Sequence, residues 1–254
     1  MIDSHCHLTD PRLFEQLAGV LQRAAAAGVS RMLTIGTGSE EWPACIDLAR
    51  RAPQVRCAVG LHPNHASDAE VERLAELPTL LREPVVLAAG EMGLDYFYDT
   101  VPKPLQRTAL ERQLEMARDA GKPVIIHSRE ATEDCLAILR SFATIAAVFH
   151  CFTGSAGEAR AILDAGYFLG FTGPITFKKN DALREVVRLV PTDRLLVETD
   201  SPYLTPEPMR KQKINEPAMV IRVAAMVAQI KGISVEEVDR LTTENCGRLF
   251  GWIA

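Results

Sequence analysis

Basic charge is scarce in this sequence: 28 lysines and arginines stand against 33 aspartates and glutamates, a net charge of −5 at pH 7. Proteins that coat duplex nucleic acid through bulk charge are usually basic, so avid sequence-independent coating is not expected. Chemistry on a phosphate-bearing substrate stays open, because a few local cations are enough to hold it. No apolar run approaches the ~18 residues of a membrane span, and no membrane association is expected. The N-terminus lacks a basic stretch followed by an apolar one, so no secretory leader is expected. The six cysteines (6, 45, 57, 135, 151 and 246) include no C-x-x-C pair. Scattered thiols suit a reducing compartment better than a disulfide framework, and a cytoplasmic location is expected. Internal repeats, low-complexity tracts and long linkers are missing too, which predicts one domain over 1–254. No exposed apolar stripe stands out, and a monomer is expected.

What the sequence does have is a sustained alternation of short apolar runs with longer helical segments. The strand-like runs are 1–5, 31–36, 55–62, 84–90, 123–127, 145–150, 167–171 and 195–198. The helix-like stretches are 13–27, 42–52, 69–81, 105–120, 132–142, 157–165, 181–190, 217–231 and 234–250. Several end at a glycine suited to a left-handed C-cap, among them Gly28, Gly121, Gly166 and Gly232. Strands alternating with helices imply parallel pairing. Eight such units, with one spare helix at the end, predict an α/β fold of the (β/α)8 TIM-barrel type. An open doubly wound sheet fits less well, since no Gly-rich phosphate fingerprint follows the first strand.

In such a barrel the reactive groups stand at the C-terminal ends of the strands. The first run ends in His5-Cys6-His7, where extended backbone turns both imidazoles one way and Cys6 the other. Later runs end in Gly60-Leu61-His62, Gly90-Glu91, His127-Ser128-Arg129, His150-Cys151 and Glu198-Thr199-Asp200. Five of the six histidines therefore close or directly follow a strand, and only His65 lies further out. One histidine in that place is ordinarily structural. Several converging on one mouth point to a metal centre. A mixed imidazole and carboxylate set needs no thiolate and selects Zn, Mn or Mg, so Cys6 and Cys151 are expected to pack in the core. Four histidines (His5, His7, His127, His150) with Glu91 and Asp200 exceed one tetrahedral site. The excess suggests two divalent ions with Glu91 between them; two ions about 3.5–4 Å apart can clamp both oxygens of a phosphoryl displacement.

The stretches IDSHCHL (2–8), GLHP (60–63), GEMGLDY (90–96), PVIIHSRE (123–130), FHCFTG (149–154), LLVETDSPYL (195–204) and NEPAMV (215–220) resemble those of the TatD family of metal-dependent nucleases. That family lies within the wider amidohydrolase-like group of barrels, and the resemblance runs from the first strand to the last helix. It implies a hydrolase that cuts phosphodiesters in DNA, as a 3′–5′ exonuclease on single strands or ends. It also implies a ligand set: His5 and His7 with Asp200 on one ion, His127 and His150 on the second, and Glu91 bridging. His62 and Arg129 would then face the scissile phosphate. The loop 209–214 departs from the family's usual wording, a matter of substrate contact.

Asp200 is the candidate general base, with pure ligation as its alternative. Asp95 and Glu198 are candidates for orienting ligand imidazoles, although a helix cap or salt bridge is the plainer expectation for Glu198. Arg129 suits a phosphate oxygen, or else a structural salt bridge. Lys178, Lys179, Arg210 and Lys213 could follow a nucleic-acid backbone. Tyr96, Phe97, Tyr98 and Tyr203 could stack bases, or pack beneath loops. The same centre could instead act on a carboxylic ester or amide, such as a D-aminoacyl-tRNA, and RNA stays open as a substrate. A non-catalytic metal-binding protein is disfavoured, because a full ligand set plus Asp200 exceeds what storage requires.

Overall fold

Each short apolar run forms a strand with few exposed positions, as parallel strands covered by helices require. The computed structural model describes residues 1–142 and 144–252, so residues 143, 253 and 254 of the expected domain lie outside the described residues. The strands are β1 (Ile2–Cys6), β2 (Arg31–Gly36), β3 (Val55–Val59), β4 (Val86–Asp95), β5 (Val124–Arg129), β6 (Ala147–Phe149), β7 (Phe168–Phe171) and β8 (Leu195–Val197). They lie in sequence order and every neighbouring pair is parallel. A parallel bridge between Cys6 and Ser201 joins last to first, with His7 N–H donating to Ser201 O (2.7 Å) and Asp200 N–H to His5 O (2.9 Å). This is the expected (β/α)8 barrel.

The helices, among the described residues, are α1 (Pro11–Phe14), α2 (Leu17–Ala26), α3 (Trp42–Arg51), α4 (Asp68–Arg73), α5 (Leu77–Leu80), α6 (Lys103–Ala120), α7 (Thr132–Arg140), α8 (Ala156–Asp164), α9 (Asp181–Leu189), α10 (Val220–Lys231) and α11 (Val235–Phe250). Two expected helices are broken. The stretch 13–27 divides at Gln16, which leaves helical geometry (φ −122°, ψ 24°). The stretch 69–81 divides into α4, a 3₁₀ turn and α5, where Pro78 removes a donor and crowds the preceding turn. None of the single helices among the described residues is long and apolar enough to cross a membrane.

Apolar side chains sort into two sets. One contains at least one residue from every strand, from Ile2 to Leu196, and fills the barrel interior. The other lies between strands and helices, with Met32, Val124, Leu110 and Leu114 among its members. Cys246, Leu249 and Phe250 of α11, with Trp252, join the interior set. The spare helix therefore plugs the end where the strands begin, leaving the opposite end open.

Two strand boundaries at that open end differ from expectation by three residues or more. β4 does not stop at Gly90 but runs on through Glu91 to Asp95, paired with β5 as far as Asp95 and Arg129. Gly93 (φ 149°) permits this, since a Cβ there would collide with the carbonyl of His127. β3 stops early, at Val59, because Pro63 opens a 3₁₀ turn that His62 caps through its side chain.

Candidate metal centre

Strict alternation does not bring the histidines inside. Ile2 belongs to the interior set and Cys6 to the outer one, although four positions apart they should share a face. The pairing of β1 with β2 is irregular between Asp3 and Cys6, and that irregularity re-aims His5 and His7 into the barrel. β4 repeats the device. Ala88 faces the interior and Met92 the outside, and an irregularity between Ala89 and Met92 turns Glu91 inward.

Glu91 is buried at the centre. Its Oε1 lies 2.6 Å from His150 Nε2, 2.9 Å from His127 Nδ1 and 3.5 Å from His62 Nε2. Its Oε2 lies 3.5 Å from His5 Nε2. Asp200 Oδ1 is 3.2 Å from His7 Nε2 and 3.6 Å from His5 Nε2. The rings of His5 and His150 stack at 4.0 Å between centroids, nearly parallel at 7°. Three groups result whose donor atoms could share an ion: His5 with His7 and Asp200, His5 with Glu91 and His150, and His62 with Glu91 and His127. The first is the expected set. His127 and His150 are divided between the other two, and His62 joins the donors instead of standing apart from them.

Carboxylates stand behind two of the imidazoles, and Asp95 holds the orientation of His127. Asp95 Oδ2 lies 3.2 Å from His127 Nε2 and also accepts from Asn64 Nδ2 (2.9 Å), while its Oδ1 accepts the backbone N–H of Phe97 and Tyr98. Glu198 is not a helix cap, and the ionisable partner within salt-bridge reach is His150. Buried, it accepts the N–H of Cys151 and the Ser4 hydroxyl, and its Oε1 stands 3.8 Å from His150 Nδ1. Gly170 makes the room: a Cβ there would fall 2.6 Å from Glu198 Oε2. Asp3, quoted in the first motif without a role, accepts the N–H (2.9 Å) and hydroxyl (2.6 Å) of Thr199 beside Asp200. Burial without a cation pushes its carboxyl up to about 8.

Cys6 packs outward as expected, its thiol donating to Leu33 O. Cys151 does not. It adopts a left-handed φ of 44°, which breaks the alternation, and borders the open cavity with Sγ 3.1 Å from the Thr172 hydroxyl.

The charge pattern suits cations. Burial disfavours a charged imidazole throughout and lowers His62 to about 3 and His5 to about 4. At His7 and His127 the same burial is outweighed by Asp200, and by Asp95 with Glu91, and both rise to about 9. Burial would raise Glu91, but the surrounding histidines hold it well below the usual carboxylate range. The ring nitrogens of His5 and His150 are buried without any hydrogen-bond partner of proper direction. Buried polar atoms are rarely left so. Imidazole lone pairs and carboxylate oxygens aimed at common points are a donor set for borderline divalent ions, and the residues fit them.

Above the centre opens a cavity of about 750 Å³, bordered by Tyr98, Arg129 and Tyr203. Arg129 lies over the rings of Phe97 (3.8 Å) and Tyr98 (4.9 Å). Tyr96 points elsewhere, donating to Asp134 (2.6 Å) beneath Lys103. Lys178, Lys179, Arg210 and Lys213 do not border the cavity. Asn64, Thr37 and Asp10 do, and no spacing rule marks residues that reach a cavity through loops. Asn215 is a further structural residue, holding the loop after β8 through Thr199 O (3.0 Å) and Tyr203 O (2.7 Å).

Known proteins share this frame over its whole length. The pattern of the TatD related DNase family matches residues 2–251. The chain is 39% identical over 252 residues, 98% of both chains, to the Bacillus subtilis (strain 168) protein named uncharacterized metal-dependent hydrolase YabD. It is 38% identical to a protein of Erwinia amylovora named 3'-5' ssDNA/RNA exonuclease TatD, covering 99% of this chain and 100% of that one. The crystal structure of the TatD homologue YJJV from Escherichia coli K12 superposes with a TM-score of 0.93 at 31% identity, covering 100% of this chain and 98% of that one. The chain is a member of the TatD related DNase family of metal-dependent hydrolases.

Proposed function

We propose that this protein hydrolyses phosphodiester bonds at the 3′ ends of single-stranded DNA or RNA, with two divalent ions held by His5, His7, His62, Glu91, His127, His150 and Asp200. The observation that carries the reading is Glu91, one buried carboxylate within 3.5 Å of four imidazoles from separate segments of the chain. The similarity to an Erwinia amylovora protein named as a single-strand exonuclease supports the choice of substrate. Ions in such a site supply Lewis acidity toward water and phosphoryl oxygens.

The protein's own residues do the rest. In the metal-free centre His7 holds the Asp200 carboxyl below the usual range despite burial, and a bound cation would keep it ionised once His7 gave up its proton. Asp200 can therefore accept the proton of an attacking water. Arg129 is exposed beside the cavity, which supports its holding a non-bridging phosphate oxygen. Asp95 keeps the imidazole of His127 from rotating, and Glu198 sets a carboxylate 3.8 Å behind His150.

The test uses protein loaded with Mg, Mn or Zn, on 5′-labelled single-stranded DNA and RNA and on D-aminoacyl-tRNA. Shortening from the 3′ end is expected, and Asp200→Asn should slow it by about 10²–10⁴-fold, the usual worth of a general base. Silence on both oligonucleotides with all three metals, or an Asp200→Asn variant as fast as the parent, overturns the proposal. Release of the D-amino acid alone would reassign the centre to carboxylic esters.

A further inference from the structure

Phe97, Tyr98 and Tyr203 are 51%, 46% and 48% exposed, and with Phe14 they are the exposed aromatic rings among the described residues. Packing beneath loops does not account for them. An aromatic ring has 150–250 Å² to bury and gains by being covered. Their placement is ordered. In a closed ring of eight strands in sequence order, β4 and β8 stand on opposite sides. Phe97 and Tyr98 follow β4, and Tyr203 follows β8.

Each ring set is backed by a guanidinium from the next strand round. Arg129, at the end of β5, lies over Phe97 and Tyr98 at 3.8 and 4.9 Å. Arg12, which follows β1, lies over Tyr203 at 4.5 Å. Both platforms are also fixed to the centre. The N–H groups of Phe97 and Tyr98 donate to Asp95 Oδ1 (3.0 and 3.2 Å), behind His127. Tyr203 N–H donates to Asp200 O (2.9 Å), and its ring stands edge-on to His7 at 6.0 Å. Arg12 is occupied by both oxygens of Asp10 (2.8 and 2.7 Å), so it steadies its ring without offering charge.

We infer that these platforms are two base-stacking subsites on opposite sides of the centre, taking the unpaired bases on either side of the reactive phosphate of a single strand. The inference rests on the phosphodiester reading above and adds what the substrate must carry: two bases with free faces. A ring can stack on any base, so the pair selects unpaired strands without selecting sequence. Bases stacked within a duplex have no face to offer.

The experiment places one abasic residue at each of the four or so terminal positions of a single-stranded oligonucleotide. It compares the parent protein with Tyr203→Ala, Tyr98→Ala and Tyr203→Phe. Two positions flanking the cleaved bond should each lose about 5- to 150-fold in kcat/KM, the equivalent of about 1–3 kcal/mol per stacked base. The loss should fall mainly on KM. Tyr203→Ala should reproduce the loss at one position and Tyr98→Ala at the other, and neither should add to the abasic loss at its own position. Tyr203→Phe should recover what Tyr203→Ala loses. Additive losses, or abasic positions without effect in a protein that shortens the intact strand, overturn the subsites and leave the phosphodiester reading standing. A protein that shortens no strand overturns that reading itself.

Discussion

His7 and His127 hold protons in the metal-free centre, while His5 and His62 do not. The difference lies in what each ring faces. Burial lowers all four, but Asp200 at His7, and Asp95 with Glu91 at His127, raise those two to about 9. His150 shifts upward as well, the charge of Glu91 outweighing its burial. A folded-state pKa above the free value means that the proton is bound at pH 7 and is lost as pH rises through about 9. An entering cation must displace it, so apparent metal affinity should rise with pH and level off above about 9. Calorimetry of Zn or Mn binding at pH 7, in buffers of differing ionisation enthalpy, should show at least about two protons released per loaded centre. Affinity independent of pH, or no proton release, would refute the assignment. At this scale the residue types were legible in advance, because His and acid residues at strand ends are local facts. The proton positions were not, since each depends on a carboxylate from another strand.

At the scale of elements, the ends of the strands are where the chain departs from regular geometry. Glu130, Cys151, Asp200 and Leu204 have left-handed φ of 54°, 44°, 55° and 55°, and all four lie just beyond β5, β6 or β8 at the open mouth. Left-handed backbone costs a non-glycine residue about 1–2 kcal/mol. At Asp200 that cost accompanies the turn that sets its carboxylate beside His7. Glu130 is exposed and outside the donor set. Glu130→Gly should therefore stabilise the fold by about 1 kcal/mol and raise Tm by about 2–4 °C in a domain of this size. Thermal melting checks this, and a lower Tm would sink it. The same ends explain the boundary errors. A glycine that ends a strand on paper (Gly90) and one that lets β4 press against β5 (Gly93) look alike in a one-dimensional string.

For the whole molecule, the net charge of −5 means that the proposed strand must be held locally, and Arg129 is the guanidinium that borders the cavity. Single-strand binders lose affinity with a log–log salt slope of about −0.7 per phosphate contact. A shallow slope of kcat/KM against salt is expected here, and Arg129→Ala should reduce it by about 0.7. An unchanged slope would remove Arg129 from the phosphate. Read alone, the sequence was sufficient for the barrel and for histidines and acids at the ends of its strands, because hydrophobic period and residue chemistry are properties of neighbouring residues. The grouping of those side chains was decided only by tertiary structure. Irregular pairing in β1 and β4 sets which faces turn inward, and closure of β8 onto β1 sets Asp200 beside His7. The same packing divides His127 and His150 between different neighbours and puts Glu198 behind His150. Register and closure are relations between distant segments, and no local pattern encodes them.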